Sequence, residues 1–355
     1  MKKSLLALAV IGAFAATASA QTNVTLYGIA DAGIGMADRD GASDSHVNVF
    51  SGVQSTSRFG VRGSEDLGSG LRATFNIEAG VNWDTGDADS SFWQRRAVVG
   101  LAGGFGEVRL GRDYTPGFTA AGTTDVMGYG LFGNWLTYTA GGLAHGGLNG
   151  ITTRASNGLH YTSPNWGGLT IRAMYATTEG DDTVGNAKGD IYGVSGVYAN
   201  GPLTVSAYYQ YLEAAVAGTT DNNEVNQYGI GAQYRFGAFR VAANYGMADT
   251  DFAAGGGSQE HEGFGIGAGM KIGTGELLVN YIHQEVDSAG DPEADTWGIA
   301  YVHPLSKRTN LYASYGQTGN DNGGQFGLRY SQAQVSPNGT NADVKAFAVG
   351  IRHLF

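Results

Sequence analysis

Residues 203–211 read LTVSAYYQY. On an extended chain Leu203, Val205, Ala207, Tyr209 and Tyr211 share one side, and Thr204, Ser206, Tyr208 and Gln210 the other, because successive side chains of a strand point to opposite faces. FRVAANYGM (239–247) repeats the pattern: Phe239, Val241, Ala243, Tyr245 and Met247 oppose Arg240, Ala242, Asn244 and Gly246. LTIRAMY (169–175) does so again, and in SRFGVRG (57–63) Phe59 and Val61 alternate with Arg58 and Arg62. A soluble β-sandwich also alternates, hiding its apolar faces between two sheets. It does not explain why rings gather at the ends of the apolar faces, as at Tyr209, Tyr211, Tyr234, Phe236, Phe239 and Tyr245. A sheet closed on itself with its apolar side toward lipid does explain it, since aromatic girdles settle at both membrane interfaces.

Outward from these strands, short clusters of turn-forming residues recur. They are SEDLGSG (64–70), GGFGE (103–107), SPNWGG (163–168), ANGP (199–202), FGA (236–238), IGTGE (272–276) and HPLSKR (303–308). Their spacing is about 36 residues, with one oversized unit between Gly104 and Asn165. Between them lie longer, acidic stretches such as DTGDADSS (84–91), EGDDTVGN (179–186) and DSAGDPEAD (287–295). Short turns at one end and long loops at the other are the asymmetry of an outer-membrane barrel. Seven short turns plus two chain ends predict sixteen antiparallel strands, all-β, with both termini on the turn side. Phe59 and Val61 then face lipid or a neighbouring subunit, and Arg58 and Arg62 face a water-filled lumen, where charge is tolerated.

The first 20 residues, MKKSLLALAVIGAFAATASA, place Lys2 and Lys3 before a short apolar run that ends in Ala-Ser-Ala. This is the pattern of a cleavable bacterial export signal, leaving residues 21–355 as the barrel. The chain has no cysteine, so disulfides do not hold it. Its formal charge is −11; without Lys2 and Lys3, 19 basic residues face 32 acidic ones, which gives −13. No basic surplus points to nucleic acid.

VTLYGIADAGIG (24–35), SRFGVRGSEDLGSGLRATFNIEAG (57–80), RRAVVGLAGGFGEVRLGRDYTP (95–116), LHYTSPNWGGLTIRAMY (159–175) and FAVGIRHLF (347–355) together resemble the trimeric, sixteen-stranded general diffusion porins of β-proteobacterial outer membranes. The terminal Phe355 is similar to the aromatic that ends this family and helps present it to the assembly machinery. The resemblance implies a homotrimer among outer-membrane lipids and lipopolysaccharide that passes small hydrophilic solutes. It also implies that the oversized unit holds a third loop, residues 113–153, folded into the lumen. The stretch GYGLFGNWLTYTAGGLAHGGLNG (128–150) suits this, being rich in glycine and rings and poor in charge. By motif, Arg58, Arg95 and Arg154 match the basic wall of a porin constriction, and Arg62 shares the face of Arg58. Arg95 and Arg96 are adjacent, so alternation admits only one of them to the lumen, and the motif favours Arg95. Between Tyr114 and Thr153 the sole acid is Asp125. Guanidinium groups with little acid opposite predict a mildly anion-selective pore despite the net negative charge, because charges beyond about 8–10 Å are screened.

Asp84, Asp87, Asp89, Asp181, Asp182, Asp249 and Asp251 read as loop acids. They serve as solvated charges that keep loops apart, or hold divalent cations beside lipopolysaccharide phosphates. No cofactor is expected. GYGLFG (128–133) fits a dinucleotide-binding spacing but lacks its strand–helix setting and ribose acid. The histidines lack metal spacing, and no nucleophile motif occurs. A barrel esterase or protease would need a Ser or Asp beside a His at one strand end. A plugged, adhesive barrel is the other rival, and the single oversized unit favours a constriction over a plug.

Overall fold

The computed structural model describes residues 23–42, 46–139, 150–177, 189–216 and 221–355. The expected export signal and the acidic stretch with Asp181 and Asp182 lie outside them. Sixteen barrel strands follow the chain: β1 (Asn23–Arg39), β2 in two pieces (His46–Ser51 and Arg58–Gly68), β3 (Leu71–Gly80), β4 (Arg96–Gly103), β5 (Gly106–Tyr114), β6 (Arg154–Thr162), β7 (Leu169–Thr177), β8 (Asp190–Asn200), β9 (Leu203–Ala215), β10 (Asn222–Phe236), β11 (Phe239–Asp251), β12 (Ser258–Ile272), β13 (Gly275–Asp287), β14 (Glu293–Pro304), β15 (Thr309–Asp321) and β16 (Val344–Leu354). Each is antiparallel to the next, and β16 pairs back onto β1 from Ile29↔Leu354 to Arg39↔Val344. Closure leaves no open sheet edge, which is what hydrocarbon demands of backbone N–H and C=O groups.

All seven expected turns fall between strands. The first and last barrel strands meet on the turn side, where Gly28 and Phe355 exchange backbone hydrogen bonds of 3.0 and 3.1 Å. Alternation sorts the faces as read: in β9 Tyr209 is 38% exposed and its neighbour Tyr208 only 7%. Outward positions carry apolar groups such as Ile230, Val241, Ile266 and Ile299, all exposed. Inward positions include many polar groups, as at Ser206, Gln210, Gln227, Gln284 and Ser314, beside apolar ones that pack against the entering segments, such as Ile282.

At the loop end the outward rings form a row. Register pairs Tyr175 with Tyr192, Tyr209 with Tyr228, Tyr245 with Phe264, Tyr281 with Trp297 and Tyr315 with Phe347. The row runs from β7 to β16 and stops there. Over β1 to β5 the corresponding outward positions are Met36, Val47, Ala79, Ala97 and Arg112. Above the row, carboxylates face one another directly: Glu213–Glu224–Asp251, Asp249–Glu260–Asp287 and Glu262–Glu285–Glu293–Asp321. Asp249 and Asp251, read from sequence as loop acids, thus belong to the tall end of β11, because the strands on this side run past the aromatic row.

Two segments enter the barrel. Residues 115–139 carry α1 (Pro116–Ala121), capped by the Thr115 hydroxyl with Pro116 in its first turn, and α2 (Leu136–Thr139). They dock on inward groups: Gly117 N donates to Gln210 Oε1 (2.7 Å), Phe132 N to Ser314 Oγ (3.0 Å), and Asn280 Nδ2 to the Gly133 carbonyl (2.9 Å). Phe132, Trp135 and Tyr138 are fully buried there. Residues 140–149 of the expected 113–153 loop lie outside the described residues.

The second entering segment was not read from sequence. Residues 322–343 pack Phe326 and Leu328 inside, while Gln332 accepts from Ser57 N (3.1 Å) and donates to the Val81 carbonyl (3.0 Å). Ser57 belongs to the excursion 52–57 that splits β2 after Ser51, starting at Gly52, whose φ is +67°. A signal was present: no carboxylate occurs from Asn322 to Ala342, unlike the acidic outer loops.

Candidate pore constriction

The narrow zone is built where β2, β4, β5 and β6 end beneath the entering segments. Glu78 on β3 is buried, and Arg95 donates to it from Nε at 2.8 Å while an Arg58 Nη1 stands 3.8 Å away. Tyr27 adds a hydroxyl donor to the same carboxylate at 2.9 Å. Arg154 donates from Nη2 to the Tyr114 hydroxyl at 2.8 Å and lies over that ring at 4.3 Å; Arg95 donates to the same hydroxyl. Tyr114 in turn stacks on Phe118 of α1 at 5.4 Å, nearly parallel. Arg58, Arg95 and Arg154 therefore converge on one carboxylate and one phenol.

Arg58, Arg95, Tyr114 and Arg154 border a cavity of about 530 Å³ that Thr119, Thr123 and Arg329 also line. Arg329 comes from the segment 322–343, and its carbonyl accepts from Asn134 Nδ2 at 3.2 Å. Burial pulls its guanidinium below the ordinary arginine value, yet arginine stays charged in proteins. Asp89 also lines this cavity.

The other two sequence candidates stand elsewhere. Arg62 faces the interior but lies toward the turn side, 5.0 Å from the Tyr27 ring centroid, in a recess shared with Arg96, Glu107 and Arg109. Asp125 is 4% exposed and turned into its own loop, accepting from the backbone N of Met127 (3.0 Å), Tyr129 (2.8 Å) and Trp135 (3.1 Å). Burial pushes its carboxyl above the usual carboxylate range, although these N–H donors pull the other way. It shapes the loop and does not border the cavity.

The adjacency of Arg95 and Arg96 was read as admitting only one to the interior, and both are inside. Arg96 begins β4 and makes a two-pronged bond to Asp113, each contact 2.8 Å. Arg95 precedes the strand, so the pleat does not dictate its direction. Sequence reasoning missed Glu78, Tyr114 and Arg329; the first two lie within the stretches that carried the family resemblance, and the acid-free run around Arg329 was its only trace.

A closed sixteen-stranded barrel, apolar outside and charged within, with four arginines lining an interior cavity, defines an outer-membrane channel that works by passive diffusion. The comparisons place it further. Residues 7–323 match the family model described as Gram-negative porin, and the chain belongs to that family. It is 37% identical, over the full length of both chains, to outer membrane porin protein 32 of Delftia acidovorans. It is 30% identical over 58% of this chain and 57% of the relative to major outer membrane protein P.IB of Neisseria meningitidis serogroup B. Among solved structures it superposes on an anion-selective porin from Comamonas acidovorans with a TM-score of 0.82 and 32% identity, covering 94% of this chain and 100% of the other. The fold is shared with OmpT of Vibrio cholerae at a TM-score of 0.71 and 15% identity, covering 95% and 99%. Outer-membrane residence and channel activity rather than catalysis follow from membership.

Proposed function

We propose that this porin is a homotrimeric, mildly anion-selective pore for small hydrophilic solutes, with its constriction at Arg58, Arg95 and Arg154. The single observation that carries the reading is the convergence of these three guanidinium groups on one buried carboxylate, Glu78, and one phenol, Tyr114, beside a cavity that Arg329 also lines. Two unit charges 4 Å apart interact by about 4 kcal/mol at an effective dielectric constant near 20. An anion entering this zone gains what a cation loses, and Asp89 is the one acid among the described residues that line the cavity. Arg62 extends the positive field toward the turn-side mouth. Asp125 acts through loop shape rather than as the opposing charge, and residues 113–153 form the narrowing loop. The similar Comamonas porin is described as anion-selective, which agrees.

The trimer rests on the interrupted aromatic row. Rings mark the wall that meets lipid and lipopolysaccharide, and the wall over β1 to β5, which lacks the loop-end row, suits subunit contact. The test is the zero-current potential of purified protein in a planar bilayer under a KCl gradient. Chloride preference that falls toward zero in Arg58→Ser/Arg95→Ser supports the assignment. Cation preference in the parent, or no change in the double variant, removes it.

A further inference from the structure

On the outer wall, above the aromatic row, register sets His283 of β13 opposite Asp295 of β14, and Glu285 opposite Glu293. The His283 Nδ1 is 3.0 Å from Asp295 Oδ1. The imidazole also rests against the Phe264 ring, with centroids 5.5 Å apart. Two neighbours thus fix the ring, and the carboxylate holds the proton on Nδ1. That leaves the Nε2 lone pair free, 4.0 Å from Glu285 Oε2. One ligand atom each from His283, Glu285 and Glu293 lies within 4.8 Å of the others. A histidine whose far nitrogen is oriented by a carboxylate is the usual second layer of a metal site.

From this geometry we propose that His283 Nε2, Glu285 and Glu293 form a surface binding site for a divalent cation of the zinc class, with Asp295 as the positioning residue. One imidazole nitrogen and two carboxylate oxygens suit zinc, whose ligands at about 2.0–2.2 Å stand roughly 3.4 Å apart in a tetrahedron. Small rotations of two glutamate side chains close the present separation to that value. Calcium asks for six to eight oxygens and takes no advantage of the imidazole. The site is distinct from the conduction path, since all four side chains sit on outward strand positions. It also offsets the repulsion of carboxylates placed directly opposite each other across Glu262, Glu285 and Glu293. The fourth coordination position opens outward and accepts water or an oxyanion.

The experiment is Zn²⁺ titration of the detergent-purified full chain against a chromophoric chelator, with Ca²⁺ as the comparison ion. Circular dichroism and heat-modified gel mobility check that each variant retains its barrel. The expected result is one Zn²⁺ per chain, bound at least tenfold more weakly by His283→Ala and Glu285→Gln, and severalfold more weakly by Asp295→Asn. His353→Ala, remote from the site, leaves binding unchanged, as do bilayer conductance and ion preference in all variants. Binding that survives both His283→Ala and Glu285→Gln overturns the proposal. So does Ca²⁺ binding as tightly as Zn²⁺, which would mean that the carboxylates alone act as a diffuse counter-ion sink.

Discussion

At the residue level, Glu78 has two opposed effects. It partners Arg95 at 2.8 Å and stands near Arg58, so it both neutralises and anchors the cationic cluster. Glu78→Gln should increase anion preference in zero-current potentials, because one negative charge leaves the narrow zone. It should also lower thermal stability, since a buried guanidinium losing its partner costs about 3–5 kcal/mol. Asp125 gives a pH signature. Burial raises its folded carboxyl above its unfolded value, so the protonated form favours the fold. That contribution is complete below the unfolded carboxylate pKa and is lost as pH rises through the folded one. Thermal melts of the parent should therefore lose stability over that rise relative to Asp125→Asn, which keeps an acceptor oxygen without the charge; parallel pH profiles would refute this.

For elements, the two entering segments matter more than the strands. Gly133 lies at φ +78°, and a Cβ there would come within 2.6 Å of the Gly298 Cα on β14. The loop can approach the wall only because neither partner has a side chain. Gly133→Ala should detach this part of the loop, seen as larger and noisier single-channel steps with the barrel's circular dichroism unchanged. The segment 322–343 is the second entering element, tied to the excursion 52–57 through Gln332 and through Thr56, whose N donates to Ser331 Oγ at 2.7 Å. Replacing residues 326–338 with a short glycine–serine turn should raise conductance and weaken anion preference, as Arg329 leaves the cavity. Unchanged conductance would show that the segment does not narrow the path.

For the whole molecule, the barrel is unevenly clothed. Rings crown β7 to β16 and facing carboxylates β9 to β15, while the outward wall of β1 to β5 has neither row. Arg112 sits on that plain wall opposite Ala97, donating to the Gln94 carbonyl and, at 2.9 Å, to Ser156 Oγ. An arginine there suits a packed subunit contact better than lipid, where a mid-bilayer arginine costs about 2–4 kcal/mol. Arg112→Glu should turn a trimer resistant to mild detergent into monomers on unheated gels, with the barrel still folded. A trimer band of undiminished stability would move the contact elsewhere.

The two-residue period, the seven turns and the oversized unit determined the strand number, the closed barrel and which face meets lipid. These follow from local chain geometry, so LTVSAYYQY reports its faces without help from the rest of the molecule. Arg58, Arg95 and Arg154 were legible for a different reason, the motif resemblance around them. What only the tertiary structure decided was how side chains far apart in sequence meet inside. Arg329 reaches the same cavity because a 22-residue loop folds inward, and Asp125 turns away from the water because three backbone N–H groups of its own loop claim its oxygens. Arg96 joins Arg95 indoors because a strand boundary falls between them. Alternation ends where a strand ends, and beyond it direction is set by whichever buried partner lies within reach.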